Sequence, residues 1–315
     1  MNGSIGESAL VSLPISWMSR QSRRAAVFGF NQRSPATSPV PDPEIINRQW
    51  PRIGPRAANR SHAADLVRLL DDSRRQVITS GRVGRQAKPM CGRFDRHSEL
   101  TAFAELVDGL TLEGAPNVPP SYNVTPSQDA VAVVAEAEGA CRLRAFSWGL
   151  VPAWSNKPEL RRPINARAET VAEKPMFRGA FARQRCLVLC DGYYEWQVTS
   201  SGKQPVYFRG RGGSALLIAG LWERNTRLAA YPLNTFCVLT REASEAVRGV
   251  HHRMPVLLEG EALRSWLAAD ASTDDLRTLA LEQSIEDPDF YPVSTFVNSP
   301  ANDSERCIER VSPGS

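Results

Sequence analysis

The stretch Cys186-Leu-Val-Leu-Cys190-Asp-Gly-Tyr-Tyr-Glu-Trp196 holds the strongest fold signal in the chain. Its five apolar residues run without interruption and end at Asp191-Gly192, the pattern of a buried strand that leads into a turn. Similar segments flank it on both sides. Upstream, Ala130 to Val134 is a second apolar run. In Cys141 to Trp148, Arg142 and Arg144 alternate with Cys141, Leu143 and Ala145, the period-two pattern of a half-buried strand. Downstream, Val206 to Phe208, Ala215 to Trp222, Thr235 to Leu239 and Met254 to Leu258 complete the expected strands. Ser98 is placed to cap a helix whose Leu100, Phe103, Ala104 and Val107 share one face. Further helices are expected at Glu242 to Arg248, Glu261 to Ala269 and Thr273 to Glu282. Strands dominate and do not alternate regularly with helices. The expected class is therefore α+β, with a mainly antiparallel, curved β-sheet core and peripheral helices.

Composition divides the chain in two. Residues 1–89 hold 14 Lys and Arg against 6 Asp and Glu, whereas the remainder holds 24 against 28. The basic stretch is rich in Arg, Ser and Pro, as in Ser34-Pro-Ala-Thr-Ser-Pro-Val-Pro-Asp-Pro43. Closely spaced prolines block helix and sheet pairing, so 1–89 is expected to be a disordered extension. The folded domain is then expected over 90–305, with a flexible tail at 306–315. The apolar run Leu10 to Trp17 is short, broken by Ser12 and Pro14, and has no basic residue before it, unlike a secretory signal. The Arg- and Ser-rich leader does fit the loose profile of an organelle transit peptide. No segment reaches the roughly 18–20 apolar residues of a membrane-spanning helix. Six cysteines in 315 residues, with no C-x-x-C pair among them, exclude a disulfide scaffold and weaken a zinc-finger reading. No metal or organic cofactor is expected.

Four places combine reactive side chains with turn-forming neighbours. In Met90-Cys91-Gly92-Arg93-Phe94, a chain that begins after Met90 would present Cys91 as its first residue. An N-terminal cysteine pairs an α-amine of pKa about 7.7–8.0 with a thiol of about 8.5. With an aldehyde, the amine forms a Schiff base and the thiol then closes a five-membered thiazolidine. A buried strand cysteine is the alternative. Asn165 and Arg167 stand two apart, so an extended backbone points both to one face, where they suit a sugar hydroxyl and a phosphate. A turn with a surface salt bridge fits the same residues. Glu195 lies among large aromatics, where desolvation would raise its pKa towards proton-transfer range; a solvent-facing glutamate is the alternative. His251 and His252 stand side by side, and on a strand only one of them can enter a given pocket. With no H-x-x-x-H or Cys/His cluster nearby, an acid/base role suits them better than metal ligation. The aromatic and proline stretches Tyr122-Asn123-Val124-Thr125-Pro126 and Trp148 to Trp154 offer flat side chains for unpaired bases, or simply for a core. Arg93, Arg161, Arg162, Arg167, Arg178 and Arg253 are available for a local basic patch.

Together these motifs resemble the SOS response-associated peptidase (SRAP) family from Met90 to about Asn302. The resemblance is carried by Met90-Cys-Gly-Arg-Phe94, Tyr122-Asn123 with Pro126, Trp148-Gly-Leu-Val-Pro-Ala-Trp154, and Asn165-Ala-Arg167 with Glu169-Thr170. It continues through Gly192-Tyr-Tyr-Glu-Trp196, Ala219-Gly-Leu-Trp222, Leu239-Thr240, His251-His-Arg-Met-Pro255, and Val293-Ser294 with Val297-Asn298. It implies an SRAP-like domain that binds single-stranded DNA at abasic sites and crosslinks to them through an N-terminal cysteine. It further implies that Cys91 is the nucleophile, Asn165 orients it and the opened sugar, Glu195 assists proton transfer, and His251 acts as acid/base. Arg93 and Arg167 would hold phosphates. Tyr122, Pro126 and Trp148 would line the DNA groove, with Asn123, Trp154 and Thr240 also on the DNA side. The peptidase label follows from removal of whatever precedes the cysteine.

The chain departs from that pattern in one respect, because 90 residues precede Cys91. Three accounts are open: translation starts at Met90, the leader is removed by self-cleavage at the Met90–Cys91 bond, or the leader stays and no crosslink forms. A cysteine peptidase acting on other proteins and a non-covalent single-strand binder are the competing functions. The expected setting is a monomer in the cytoplasm, associated with the nucleoid and with no membrane partner.

Overall fold

The computed structural model describes residues 91–136 and 139–312. The extension expected to be disordered, 1–89, lies outside the described residues. Among the described residues, fourteen strands form two sheets. The five-stranded sheet comprises β1 (Phe94–Arg96), β3 (Ser121–Val124), β8 (Gly192–Thr199), β9 (Gly202–Arg209) and β14 (Asp289–Pro292), in the order β14-β9-β8-β1-β3. The nine-stranded sheet follows the order β12-β11-β10-β7-β4-β5-β2, with β13 beside β10 and β6 beside β11. Its strands are β2 (Leu110–Thr111), β4 (Asp129–Ala135), β5 (Cys141–Trp148), β6 (Asn165–Arg167), β7 (Arg185–Cys190), β10 (Leu216–Asn225), β11 (Leu233–Glu242), β12 (Arg253–Pro255) and β13 (Leu257–Leu258).

Pairing is antiparallel except for β2–β5, β5–β11 and β6–β11, so the α+β, mainly antiparallel class is what the structure shows. β5 pairs with β4 on one side and reaches β11 on the other, which requires the β11-β10-β7-β4-β5 path to curve back on itself. Among the described residues, five short helices lie around the sheets: α1 (Leu100–Ala104), α2 (Arg178–Arg183), α3 (Glu245–Arg248), α4 (Glu261–Leu267) and α5 (Thr273–Glu282). No helix among the described residues is long and apolar enough to cross a membrane.

The uninterrupted apolar run of β7 has a direct cause. Leu187 and Leu189 enter a core shared with Phe181, Leu263, Trp266, Leu276 and Leu279 of the helices. Cys186, Val188 and Cys190 face the opposite core, shared with Phe94, Tyr193 and Phe208 of the five-stranded sheet. A strand buried on both faces has no polar positions to alternate with.

The turn expected at Asp191-Gly192 is a single bent residue that passes the chain from one sheet to the other. Glycine is required after it: a Cβ on Gly192 would lie 2.3 Å from the Tyr207 ring and 2.4 Å from the Phe208 carbonyl oxygen.

Several expected boundaries move. Ser98 is not the cap of α1, because the backbone N–H groups of His97 and Ser98 both donate to Asp191 Oδ2; the helix starts after Glu99 and lasts five residues. Met254 to Leu258 divides at Val256, with β12 pairing to β11 and β13 to β10. Glu242 stays in β11, opposite Arg253, so α3 begins three residues later than expected. Residues 306–312, expected as a flexible tail, are anchored. Cys307 is buried, Tyr291 donates to the Ile308 carbonyl, and Arg310 bridges to Val293.

Candidate active site around Cys91

Antiparallel pairing of β1 with β8 brings the start of the domain to Glu195. Phe94 lies opposite Tyr193, Asp95 opposite Gly192, and the Tyr194 N–H donates to the Arg93 carbonyl. Further along the same track, the backbone nitrogen of Cys91 donates to Glu195 Oε1 at 2.7 Å. Both residues are only 4% exposed. Cys91 takes φ of +46°, a left-handed conformation that a side chain rarely adopts without compensation from its surroundings. His251 Nδ1 lies 4.0 Å from the same Glu195 oxygen and accepts from the Arg253 N–H at 3.1 Å. Cys91, Glu195 and His251 thus form one cluster. His251 and His252 precede β12 in a bend rather than lying on a strand, and their rings touch at 4.5 Å instead of pointing apart.

Burial sets the electrostatics. Desolvation raises the Glu195 pKa, against the opposing effects of His251 and of the hydrogen bonds from Cys91. It pushes the Cys91 thiol well up, and the Glu195 charge adds to this. A thiol read from sequence as partly ionised at neutral pH is therefore held neutral in the fold. It needs a base to become a nucleophile, and Glu195 is the adjacent one.

The other expected residues divide by environment. Asn165 and Arg167 lie on β6, half-buried and exposed respectively, on either side of buried Ala166. Arg167 is close enough to His252 to lower its pKa, although burial is the larger cause. Trp154 is 56% exposed, and Tyr122 is half-buried with its ring stacked on His97 at 4.7 Å. Pro126 is half-buried.

Four residues expected on the DNA side are buried and hydrogen-bonded within the fold. Trp148 is 2% exposed, packs against Phe94 and Phe236, and donates its indole N–H to the Ile164 carbonyl. Asn123 is a buried brace that donates to the carbonyls of Ser299 and Asn302. Thr240 is buried, and its carbonyl and hydroxyl both accept from Arg253. Arg253 is no member of a surface patch, because it forms a two-toothed ion pair with Glu169 at 2.6 and 2.9 Å. Arg93 is half-buried and held by Asn123 and the Val297 carbonyl, both at 2.7 Å from Nη1, with its guanidinium over Trp196.

The Arg253–Glu169 pair ties β12 to β11 and to the turn after β6, beside His251. Removing Glu169 strands a guanidinium that is largely out of water. Glu169→Ala is expected to cost about 2 kcal/mol, roughly 5 °C in Tm for a domain of this size. A thermal unfolding midpoint equal to that of the parent would show that the pair contributes nothing.

Spacing gave no sign of a second cluster, Asp95, His97 and Asp191, whose ligand-type atoms lie within 4.8 Å of one another. Among the described residues these are the groups best placed to share a cation. Their oxygens already accept hydrogen bonds: Asp95 from Tyr207, and Asp191 from the backbone of His97 and Ser98. His97 Nδ1 lies 2.7 Å from Asp95 Oδ2.

Comparison with known proteins adds four findings. The family model described as SOS response associated peptidase (SRAP) matches residues 90–300. Abasic site processing protein YoaM of Bacillus subtilis (strain 168) is 35% identical over 226 residues, covering 70% of this chain and 98% of its own. Abasic site processing protein HMCES of Gallus gallus is 34% identical over 229 residues, covering 62% of this chain and 67% of its own. A crystal structure of a protein from Bacteroides thetaiotaomicron superposes with a TM-score of 0.61 at 23% identity, covering 70% of this chain and 100% of that one; it shows the shared fold.

Proposed function

Because the chain belongs to the SOS response-associated peptidase (SRAP) family, we propose that it processes abasic sites in single-stranded DNA by a covalent crosslink through Cys91. One observation carries the reading: the backbone nitrogen of Cys91 meets the buried Glu195 carboxyl at 2.7 Å, with half-buried His251 4.0 Å from the same oxygen.

The chemistry follows from those groups once Cys91 is the first residue. An abasic deoxyribose opens to an aldehyde at C1′. Glu195 takes a proton from the α-ammonium, and the freed amine adds to the aldehyde carbon, forming an N–C bond while the carbonyl oxygen becomes a hydroxyl. That hydroxyl leaves as water with a proton returned by Glu195, giving the imine. The thiol sulfur then adds to the imine carbon and its proton passes to the nitrogen, closing the thiazolidine. One water is released overall. His251, 4.0 Å from Glu195, serves the sugar side as acid/base, and Asn165 orients the opened sugar. Exposed Arg167 and Arg178 are suited to phosphate, and exposed Trp154 to an unpaired base.

Where residues 1–90 are translated, the same groups can release them. Glu195 takes the Cys91 thiol proton, the sulfur attacks the Met90 carbonyl carbon, and the C–N bond breaks as Glu195 returns that proton to the departing Cys91 nitrogen. Water hydrolyses the resulting thioester, releasing the Met90 carboxylate and restoring the thiol. The domain then works as a monomer in the cytoplasm, where a free thiol persists.

The test is incubation of protein beginning at Cys91 with single-stranded DNA carrying one abasic site. A heat-stable adduct is expected, and Cys91→Ala should abolish it. An adduct of equal yield from the alanine variant would remove Cys91 from the mechanism; no adduct from either would reduce the protein to a non-covalent binder.

A further inference from the structure

Four tyrosines are buried, and three of their hydroxyls have partners. Tyr194 donates to the Tyr122 carbonyl, Tyr207 to Asp95, and Tyr291 to the Ile308 carbonyl. The Tyr193 hydroxyl is fully buried and has no hydrogen-bond partner. A buried hydroxyl without a partner destabilises the fold, and phenylalanine would fill the same core position without that cost.

The position of Tyr193 gives the hydroxyl a purpose. On β8 it stands two residues from Glu195, so strand alternation sends both side chains to the same face. That face meets the core between the two sheets, which Phe94 of β1 enters opposite Tyr193. Tyr194, between them, faces the other way into a separate cluster with Tyr207 and Tyr291. The ring of Tyr193 is fixed by stacking on Phe208 at 4.7 Å and an interplanar angle of 6°. Burial raises the Tyr193 pKa, and the charges that raise it further are those of Cys91, then Glu195, then Cys190. The phenol therefore stays protonated throughout the working range, a fixed donor that does not exchange its proton.

We propose that the Tyr193 hydroxyl is a further catalytic group of the Cys91 pocket, donating a hydrogen bond to the oxygen on the electrophilic carbon of an aldehyde substrate. This rests on the crosslinking function proposed above. The donor polarises the carbonyl while the Cys91 nitrogen adds, and holds the resulting hydroxyl while Glu195 delivers the proton with which it leaves as water. No bond to Tyr193 forms or breaks. A donor preorganised in a site shielded from water acts on the charge that develops at that oxygen rather than on ground-state binding.

The experiment compares three proteins that begin at Cys91: the parent, Tyr193→Phe and Cys91→Ala. Crosslinking rates are measured against DNA concentration on single strands with an abasic site, and affinities on strands carrying a tetrahydrofuran site, which has no aldehyde. Tyr193→Phe is expected to lower the maximal rate about 10- to 100-fold. It should leave the half-saturating DNA concentration and the tetrahydrofuran affinity within twofold, and keep or raise Tm. A maximal rate within twofold of the parent overturns the proposal while leaving crosslinking intact. A loss of rate accompanied by equal losses of Tm or tetrahydrofuran affinity also overturns it, since the role would then be structural. If the parent gives no more adduct than Cys91→Ala, the crosslinking function itself falls, and this proposal with it.

Discussion

Protein that begins at Cys91 is expected to form the abasic-site adduct at least about a thousandfold faster than protein whose chain continues back through Met90. The reason lies in one nitrogen. In a peptide bond its lone pair is delocalised into the carbonyl, which gives the C–N bond its partial double-bond character and leaves no nucleophile. In the trimmed protein the same atom is an amine of pKa about 7.7–8.0, and its 2.7 Å contact with Glu195 supplies both an acceptor for its proton and a fixed direction of attack. The magnitude is the difference between a reacting and a non-reacting group, moderated only by trace self-processing during the assay. The two forms are to be mixed with equal amounts of abasic single strand, the adduct resolved on a denaturing gel, and the N-terminus of the adducted protein read by mass spectrometry. Comparable adduct formation by protein with an intact Met1 terminus would defeat the amine mechanism. Slow adduct formation from the long form, with every adducted molecule beginning at Cys91, would instead identify self-cleavage as the limiting step.

The same atom shows what was legible in the sequence. The α+β class was readable because β7 is buried on both faces and β5 on one, and those two burial patterns leave different residue periods. Cys91, Glu195 and His251 could each be singled out by local chemistry. The meeting of Cys91 with Glu195, 104 residues apart, depends on β1 pairing with β8, which no spacing rule encodes. Only the resemblance to a family linked them beforehand.

The burial of Trp148, Asn123, Thr240 and Arg253 is not legible in the sequence, for a common reason. An aromatic, an amide, a hydroxyl or a guanidinium has the same letter in a groove as in a core. What separates the two is whether a partner such as the Ile164 carbonyl or Glu169 is folded against it. Asp95 and His97 were overlooked because an acid and an imidazole two residues apart look like a solvated edge. They become a hydrogen-bonded pair, Asp95 fully buried and His97 half-buried, only when Asp191, at the bend between the sheets, closes beside them. Tyr193 is one of several large aromatics in its stretch, and nothing in its letter distinguishes its hydroxyl from that of Tyr194.

The Asp95–His97 pair leads to the second large effect, a stability that falls as pH rises. Asp95 is fully buried, and desolvation outweighs the hydrogen bonds from His97 and Tyr207, lifting its pKa from 3.8 to about 7. His97 is raised from its ordinary 6.5, chiefly by its hydrogen bond to Asp95. Both shifts make the folded state bind protons that the unfolded chain has released. Between about pH 4 and 7 the folded protein keeps the Asp95 proton and the unfolded chain does not, so stability drops across that interval. Above pH 6.5 the raised His97 continues the same trend until its own folded pKa is passed. Asp95→Asn mimics the protonated acid, keeps an acceptor for Tyr207, and does not titrate. The parent is expected to lose about 2–4 kcal/mol between pH 5 and 8, roughly 5–10 °C in Tm, while the variant loses markedly less and equals or exceeds the parent at pH 8. The shared strand β1 gives this a functional consequence, because Asp95 fixes the pairing that carries Cys91 to Glu195. In the variant, the crosslinking rate should therefore hold up better than that of the parent as temperature is raised at pH 8. Tm-against-pH curves that run parallel in the two proteins would show that the Asp95 carboxyl is already ionised across the whole range, and that the cost of its burial is met in some other way.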